Sequence, residues 1–140
     1  MKGTLLAFDF GEKRIGVAMG ESTLKMAHPL TTISATRNDT RLSAIAALVA
    51  EWQPVQFVVG LPMHLDGAEH AMTARCRVFA KQLEGRFRLP TTLVDERLTS
   101  AEAHSMLRSF GRGGKKDKAL IDQLAAQRIL QAYFDGHATT

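Results

Sequence analysis

The sequence predicts an α/β fold, in which a mixed β-sheet is flanked by helices, and three observations carry this prediction. Short apolar runs typical of strands occupy residues 4–10, 14–20 and 56–60. The longer segments that follow carry apolar residues at helical spacing. The chain has 140 residues, of which 45% are hydrophobic, as expected for one compact domain. We therefore expect a single domain over residues 1–140.

The first three strands are predicted from the opening part of the chain. Thr4 to Phe10 and Arg14 to Gly20 are apolar runs joined by the short link 11–13, an arrangement typical of a β-hairpin. Pro29 to Ile33 has a weaker strand pattern. These three segments would form the first part of the sheet.

A helix and a fourth strand come next. The helix is capped by Asn38, Asp39 or Thr40, and Pro54 ends it. Its apolar residues keep helical spacing: Leu42, Ile45, Val49 and Trp52. Residues 56–60 are apolar enough for a strand that is buried on both faces, as in a parallel or mixed sheet.

The pattern then predicts a second helix and a fifth strand. A turn at Asp66-Gly67 leads into a helix over residues 69–86. One face of that helix is apolar: Met72, Cys76, Phe79 and Leu83. Residues 90–95 form the fifth strand, so Cys76 is expected to lie in the core between helix and sheet.

The last third of the chain is predicted to be helical with one interruption. Thr99 and Glu102 form a capping-box pattern that begins a helix ending near residue 108, so Glu102 is interpreted as a cap. Residues 111–116 are rich in glycine and cations and predict a mobile loop. A final helix follows over residues 118–134.

Charge, cysteine content and hydropathy narrow the class of protein. The net charge is +4, and two basic segments, 75–88 and 97–118, carry +4 each while the rest of the chain sums to −4. Such segments suit an enzyme acting on a polyanion or, equally, a solvated helix face. A single cysteine, Cys76, excludes an internal disulfide and fits a cytoplasmic location. No signal peptide or membrane span is predicted, because Asp9 interrupts the first apolar run and the uncharged stretch 52–65 is short of about 20 residues.

Two acidic residues stand where the pattern predicts apolar side chains. Asp9 lies near the end of the first strand, where an unpaired buried carboxylate costs several kcal/mol, so bound cations or a salt bridge to Arg14 must compensate it. Asp122 begins the apolar stripe of the last helix: Ala125, Ala126, Ile129 and Tyr133. An acid stabilised by the helix dipole is the alternative, but the small alanines would let the helix bring Asp122 towards strand acids.

A third acid at the end of the fifth strand would complete a metal site. Asp95 and Glu96 are adjacent, and because neighbouring strand residues point to opposite faces, at most one shares the side of Asp9. Three converging carboxylates suit Mg²⁺ or Mn²⁺, ions that favour phosphate chemistry. A zinc site built from His64, His70 and Cys76 is disfavoured, since their spacing matches no zinc motif.

These residues together resemble the YqgF/RuvX family of RNase H-like nucleases, whose members are described as Holliday junction resolvases and as pre-16S rRNA nucleases. Four motifs in the family's order span nearly the whole chain: Leu6 to Ala18, Val59 to Pro62 with Asp66-Gly67, Asp95 to Ser100, and Asp122 before Ala125-Ala126. The resemblance implies a five-stranded RNase H-like sheet and a structured nucleic acid as substrate.

The resemblance also implies which residues form the site. The catalytic and metal-binding acids would be Asp9, Glu96 and Asp122, which selects Glu96 over Asp95. Related resolvases usually take the second acid from the fourth strand, but here that strand ends in Gly60-Leu61-Pro62. The implied mechanism is two-metal phosphodiester hydrolysis with Mg²⁺ or Mn²⁺.

Basic residues are the candidates for contacts with nucleic-acid phosphates. They are Lys13, Arg14, Arg97, Arg112, Lys115, Lys116 and Lys118. Base stacking is not the expected mode, because aromatic residues make up only 6% of the chain and Trp52 and Tyr133 lie on core stripes.

The function implied by the resemblance is a metal-dependent endonuclease that processes the 5′ end of pre-16S rRNA. One alternative is a Holliday junction resolvase acting on branched DNA, which requires a symmetric homodimer. Another is a non-catalytic nucleic-acid-binding factor of the same fold in ribosome maturation or transcription. A phosphotransferase is a third, because the first hairpin also resembles the phosphate-binding segment of the actin and sugar-kinase superfamily, although those proteins pair two such domains.

Overall fold

The computed structural model describes residues 2–62, 71–96, 115–136 and 138–139. Its strands are β1 (Thr4–Phe10), β2 (Arg14–Glu21), β3 (Met26–Ser34), β4 (Gln56–Leu61), β5 (Thr91–Asp95) and β6 (Ala138–Thr139). Its helices are α1 (Asn38–Trp52), α2 (Ala71–Phe87) and α3 (Lys115–Phe134). The strands form one sheet in the order β3-β2-β1-β4-β5-β6.

The sheet is mixed, as the sequence predicts. β2 pairs antiparallel with both β1 and β3, whereas β1, β4 and β5 run parallel. The five predicted strands are confirmed. A two-residue sixth strand, β6, pairs antiparallel with β5 and was not predicted, because two residues are too few to show a strand pattern.

Helices cover both faces of the sheet. On one face, α1 and α2 pack on alternate strand residues, and the buried cluster includes Leu6, Phe8, Ile45, Phe57, Phe79 and Leu83. On the other face, α3 packs on the intervening residues, and the buried cluster includes Leu5, Ala7, Val58, Ala126, Ile129 and Leu130. β4 is therefore buried on both sides, and Cys76 lies in the core as predicted.

Two details at helix starts differ from the sequence prediction. The N-cap residue of α1 is Arg37, which makes no side-chain capping hydrogen bond, so the predicted cap by Asn38, Asp39 or Thr40 was wrong. Asp39 instead lies inside the first turn, where its carboxylate accepts a hydrogen bond from the backbone N–H of Thr40.

The last helix is also longer than predicted. α3 begins at residue 115, so the loop expected over 111–116 was wrong for its last two positions. Lysine is a good helix former, and a composition rich in lysine does not by itself predict a loop. The predicted turn at 66–67, the helix over 99–108 and the rest of that loop lie outside the described residues.

A buried arginine that the sequence analysis missed fixes the β1–β2 turn to α1. Arg41 is only 3% exposed, and its guanidinium donates hydrogen bonds to the carbonyl oxygens of Gly11 at 2.6 Å and Glu12 at 2.7 Å. It also donates to the carbonyl of Ala35 at 2.6 Å and lies over the ring of Phe10. These contacts hold the turn that precedes β2 in one position.

Within the described residues, no helix has the length and apolar character needed to cross a membrane.

A glycine in β2 sets how closely α3 approaches the sheet. Gly16 lies opposite Asp9 in the β1–β2 register, and a Cβ atom there would overlap the backbone carbonyl of Asp122. The helix can therefore lie directly on the strand only because residue 16 has no side chain. This contact brings Asp122 to the strand position that faces Asp9.

We expect Gly16→Ala to destabilise the protein, because the added methyl group must displace the backbone of α3. The expected loss in the free energy of unfolding is about 1–3 kcal/mol, the usual cost of overpacking. Urea unfolding followed by circular dichroism would measure it. Gly85→Ala is the matched control: a Cβ at this position of α2 meets nothing within 4 Å, so the variant should gain about 0.5–1 kcal/mol. Equal stability of the two variants would contradict the close approach.

Candidate active site

The candidate acids lie at one edge of the sheet. Asp9 is the penultimate residue of β1, and Glu96 directly follows β5. Because β1, β4 and β5 are parallel, the carboxyl ends of these strands meet at the same edge. Asp122 projects from α3, which covers that face of the sheet. The fold thus gathers three carboxylates that are far apart in the sequence.

Asp9 and Glu96 form a hydrogen-bonded carboxyl pair. The carboxyl group of Asp9 is buried, although the residue as a whole keeps partial exposure. Burial raises the pKa of Asp9 well above its usual value, and the charge of Glu96, the hydrogen bond to it and the charge of Asp122 raise it further. Burial also raises the pKa of Glu96, but the hydrogen bond from Asp9 opposes that rise. Burial and the neighbouring carboxyl group thus favour one proton shared by the Asp9–Glu96 pair over two ionised groups.

A glycine in β4 explains how Glu96 reaches Asp9 from two strands away. Gly60 lies in β4, between β1 and β5, and is paired with Val94. Oε1 of Glu96 lies 2.6 Å from the point where a Cβ atom of Gly60 would stand. The carboxyl group of Glu96 and the side chain of Ile129 thus share the space that a side chain at residue 60 of the fourth strand would occupy. The absence of an acid on β4 is compensated by one that follows β5.

Asp122 is held by an arginine. Nε of Arg14 donates to Oδ2 of Asp122 at 2.6 Å, and the two side chains are 34% and 19% exposed. The alternative of a salt bridge between Arg14 and Asp9 was wrong: the close approach of α3 at Gly16 places Asp122 beside Arg14 instead.

The donor set fits a hard divalent cation. Its members are carboxylates, the ligands that Mg²⁺ and Mn²⁺ prefer. In the described part of the chain, no three acidic, histidine or cysteine side chains are grouped closely enough to hold one ion. A proton on the Asp9–Glu96 pair and the guanidinium of Arg14 neutralise the charge that a divalent ion would neutralise. Asp9 and Glu96 are already joined by a hydrogen bond, whereas Asp122 is paired with the guanidinium of Arg14.

The structure describes the side chains of only some of the predicted basic residues. Lys13, Arg14 and Lys118 line one groove of about 490 Å³, together with Ser34, Ala35, Thr36 and Ala119. Lys115 and Lys116 lie in the first turn of α3, and their side chains are outside the described part. Arg97 and Arg112 lie outside the described residues.

Of the disfavoured zinc set, His64 and His70 also lie outside the described residues. Burial raises the pKa of the Cys76 thiol to about 12, which further disfavours a zinc thiolate.

Comparison with known sequences identifies relatives over nearly the whole chain. A model of the RuvX family, described as Holliday junction resolvase, matches residues 3–136. A protein of Methylobacillus flagellatus named "Putative pre-16S rRNA nuclease" is 61% identical over 138 residues, which cover 99% of this chain and 94% of its own. A protein of Nitrosomonas europaea with the same name is 56% identical over 99% of this chain and 94% of its own.

Comparison with solved structures confirms the fold. The RuvC structure from Thermus thermophilus superposes with a TM-score of 0.54 at 16% identity, covering 97% of this chain and 98% of RuvC. The same protein in complex with a Holliday junction substrate gives a TM-score of 0.57 at 15% identity, with 98% of each chain covered. The predicted RNase H-like α/β fold is therefore confirmed.

We expect the stability of the metal-free protein to depend on pH through Asp9. Its pKa in the folded state lies above the ordinary carboxyl value, so wild-type stability should fall as pH rises from the unfolded pKa near 4 towards the raised pKa. Asp9→Asn removes this titration. The free energy of unfolding of Asp9→Asn relative to wild type should rise by about 1 kcal/mol or more between pH 5 and pH 8 in EDTA.

Urea unfolding at the two pH values would measure this difference. Asp39→Asn is the control, because Asp39 is 69% exposed in α1 and should change stability equally at both pH values. Parallel pH profiles for wild type and Asp9→Asn would show that the carboxyl group does not carry the raised pKa.

Proposed function

The chain belongs to the RuvX family, and from this premise we propose that it is a metal-dependent endonuclease that hydrolyses phosphodiester bonds of structured nucleic acid. The observation that carries the proposal is the gathering of Asp9, Glu96 and Asp122 at one edge of an RNase H-like sheet. The proposed substrate is the 5′ end of pre-16S rRNA, because relatives 56–61% identical carry that name. We place the activity in the cytoplasm and in a single domain over residues 1–140.

The three acids are the proposed catalytic and metal-binding residues. Mg²⁺ or Mn²⁺, when bound, supplies an activated water and stabilises the leaving oxygen. Asp9 and Glu96 would hold the ion as a pair, and the pair must release its shared proton to do so. Asp122 would join them from α3. Gly16 and Gly60 position these acids, because each leaves room for another group to approach.

The groove beside Asp122 is the proposed site of backbone contacts. Lys13, Arg14 and Lys118 line it, and their cations suit phosphate groups. Lys115 and Lys116, in the first turn of the same helix, and Arg97 and Arg112 are proposed to extend this contact. Binding through phosphates would fall steeply as the salt concentration rises.

Holliday junction resolution is the second candidate. It is favoured by the description of the matching family. Two symmetric cuts in a four-way junction require two active sites, so this activity also needs a homodimer. A monomer that cuts only RNA would exclude it.

We expect Asp122→Asn to lower cleavage by about 100-fold or more, because it removes one of the carboxylates that hold the metal. The measurement is cleavage of 5′-labelled pre-16S rRNA and of a labelled four-way DNA junction in Mg²⁺, Mn²⁺ or EDTA, run on one gel. Asp39→Asn is the control, because it removes the same charge from the exposed start of α1 and should cut as wild type does.

The outcomes separate the candidate functions. Metal-dependent cutting that is lost in Asp122→Asn supports the nuclease, and the polymer that is cut identifies the substrate. Unchanged turnover in Asp122→Asn would disprove the assigned site. Tight binding without cleavage in any metal would replace the nuclease by a non-catalytic maturation or transcription factor.

A further inference from the structure

We propose that Arg14 exchanges between Asp122 and a phosphate of the nucleic acid, so that substrate binding releases Asp122 for the metal site. The inference deepens the proposed function and rests on it. It makes Arg14 a positioning residue that couples two binding events.

The position of Arg14 supports the exchange. It is the first residue of β2, next to the β1–β2 turn that Arg41 fixes through the carbonyls of Gly11 and Glu12. Its Nε donates to Asp122, and the same side chain lines the groove. One guanidinium therefore borders both the carboxylate of the metal site and the proposed path of the substrate.

The groove has the chemistry of a phosphate site. Of the described residues that line it, three are cations and none is acidic, and Ser34 and Thr36 add hydroxyl groups that can donate hydrogen bonds. A guanidinium binds phosphate and carboxylate with the same paired geometry. The volume of the groove, about 490 Å³, is large enough to admit a phosphate with its sugar. A phosphate in the groove that takes the paired N–H groups of Nε and one Nη would compete with Asp122, which is bound by Nε of Arg14.

The partial exposure of the Arg14–Asp122 ion pair lowers the free energy needed to separate the two side chains. Arg14 is 34% exposed and Asp122 is 19% exposed, so water can solvate the guanidinium as it leaves. An ion pair that water can reach contributes less to stability than a fully buried pair. The contact is strong enough to hold Asp122 in the free protein and weak enough for a phosphate or a metal ion to replace it.

The exchange makes the two binding events mutually favourable. A metal ion that takes Asp122 releases Arg14 for a phosphate, and a phosphate that takes Arg14 releases Asp122 for a metal ion. Thermodynamic linkage requires both effects to be equal in size. If Arg14 only oriented Asp122 for the ion, removing Arg14 would weaken metal binding, which is the opposite sign.

The first test measures Mn²⁺ affinity without nucleic acid, from the electron paramagnetic resonance signal of the free ion. Arg14→Gln should bind Mn²⁺ about two- to fivefold more tightly than wild type, because the competing cation is gone. Arg14→Lys should lie between them. Arg37→Gln is the matched control, since it removes the same charge from the exposed Arg37–Asp39 pair. Unchanged or weaker Mn²⁺ binding in Arg14→Gln, relative to this control, would overturn the proposal.

The second test needs neither metal nor cleavage. In EDTA, a fluorescein-labelled 20-nucleotide single-stranded RNA should bind Asp122→Asn about two- to fivefold more tightly than Asp39→Asn, because Arg14 has been released. The double variant Arg14→Gln/Asp122→Asn should bind this RNA no more tightly than the single variant Arg14→Gln does. An equal gain with and without Arg14, or no gain at all, would contradict the exchange. Failure of the cleavage assay would disprove the proposed function and leave this affinity comparison intact.

Discussion

Mutual repulsion between three carboxylates at one edge of the sheet is the constraint that the rest of the site accommodates. Asp9 and Glu96 lie within hydrogen-bond distance, and Asp122 is close enough to raise the pKa of Asp9 further. Buried like charges cannot all be ionised without a compensating cation. In the metal-free protein a proton on the Asp9–Glu96 pair and the guanidinium of Arg14 supply that compensation. The same negative charge is what a bound divalent ion would neutralise.

Two glycines leave the room in which the carboxylates meet. Gly16 lets α3 lie against β2, and Gly60 leaves a space that the carboxyl group of Glu96 shares with the side chain of Ile129. An acid on β4 would have occupied that space from its own strand. The carboxylate is therefore placed by the volume available above the sheet, and the strand that supplies it can change while its location is kept.

Sequence reasoning predicted those parts of the site that violate a local pattern. Asp9 interrupts an apolar strand and Asp122 an apolar helix stripe, so periodicity alone made both of them candidates for the site. Glu96 follows the end of β5, where strand alternation does not choose between it and Asp95, and only the family resemblance selected it. Arg41 was missed because its partners are backbone carbonyls from two separate connections, which only the folded chain brings together. The same limit applied to Arg14, whose partner lies 108 residues away.

The two compensating groups differ in where they go when a metal ion replaces them. The proton of the Asp9–Glu96 pair is lost to solvent, so its release depends on pH and on the ion alone. The guanidinium of Arg14 stays attached to β2 and borders a cationic groove, so its release is favoured by an anion bound there. A site neutralised only by protons would bind metal equally well with or without substrate. A tethered arginine instead links the completion of the metal site to the arrival of a phosphate, which is the group that the completed site would act on.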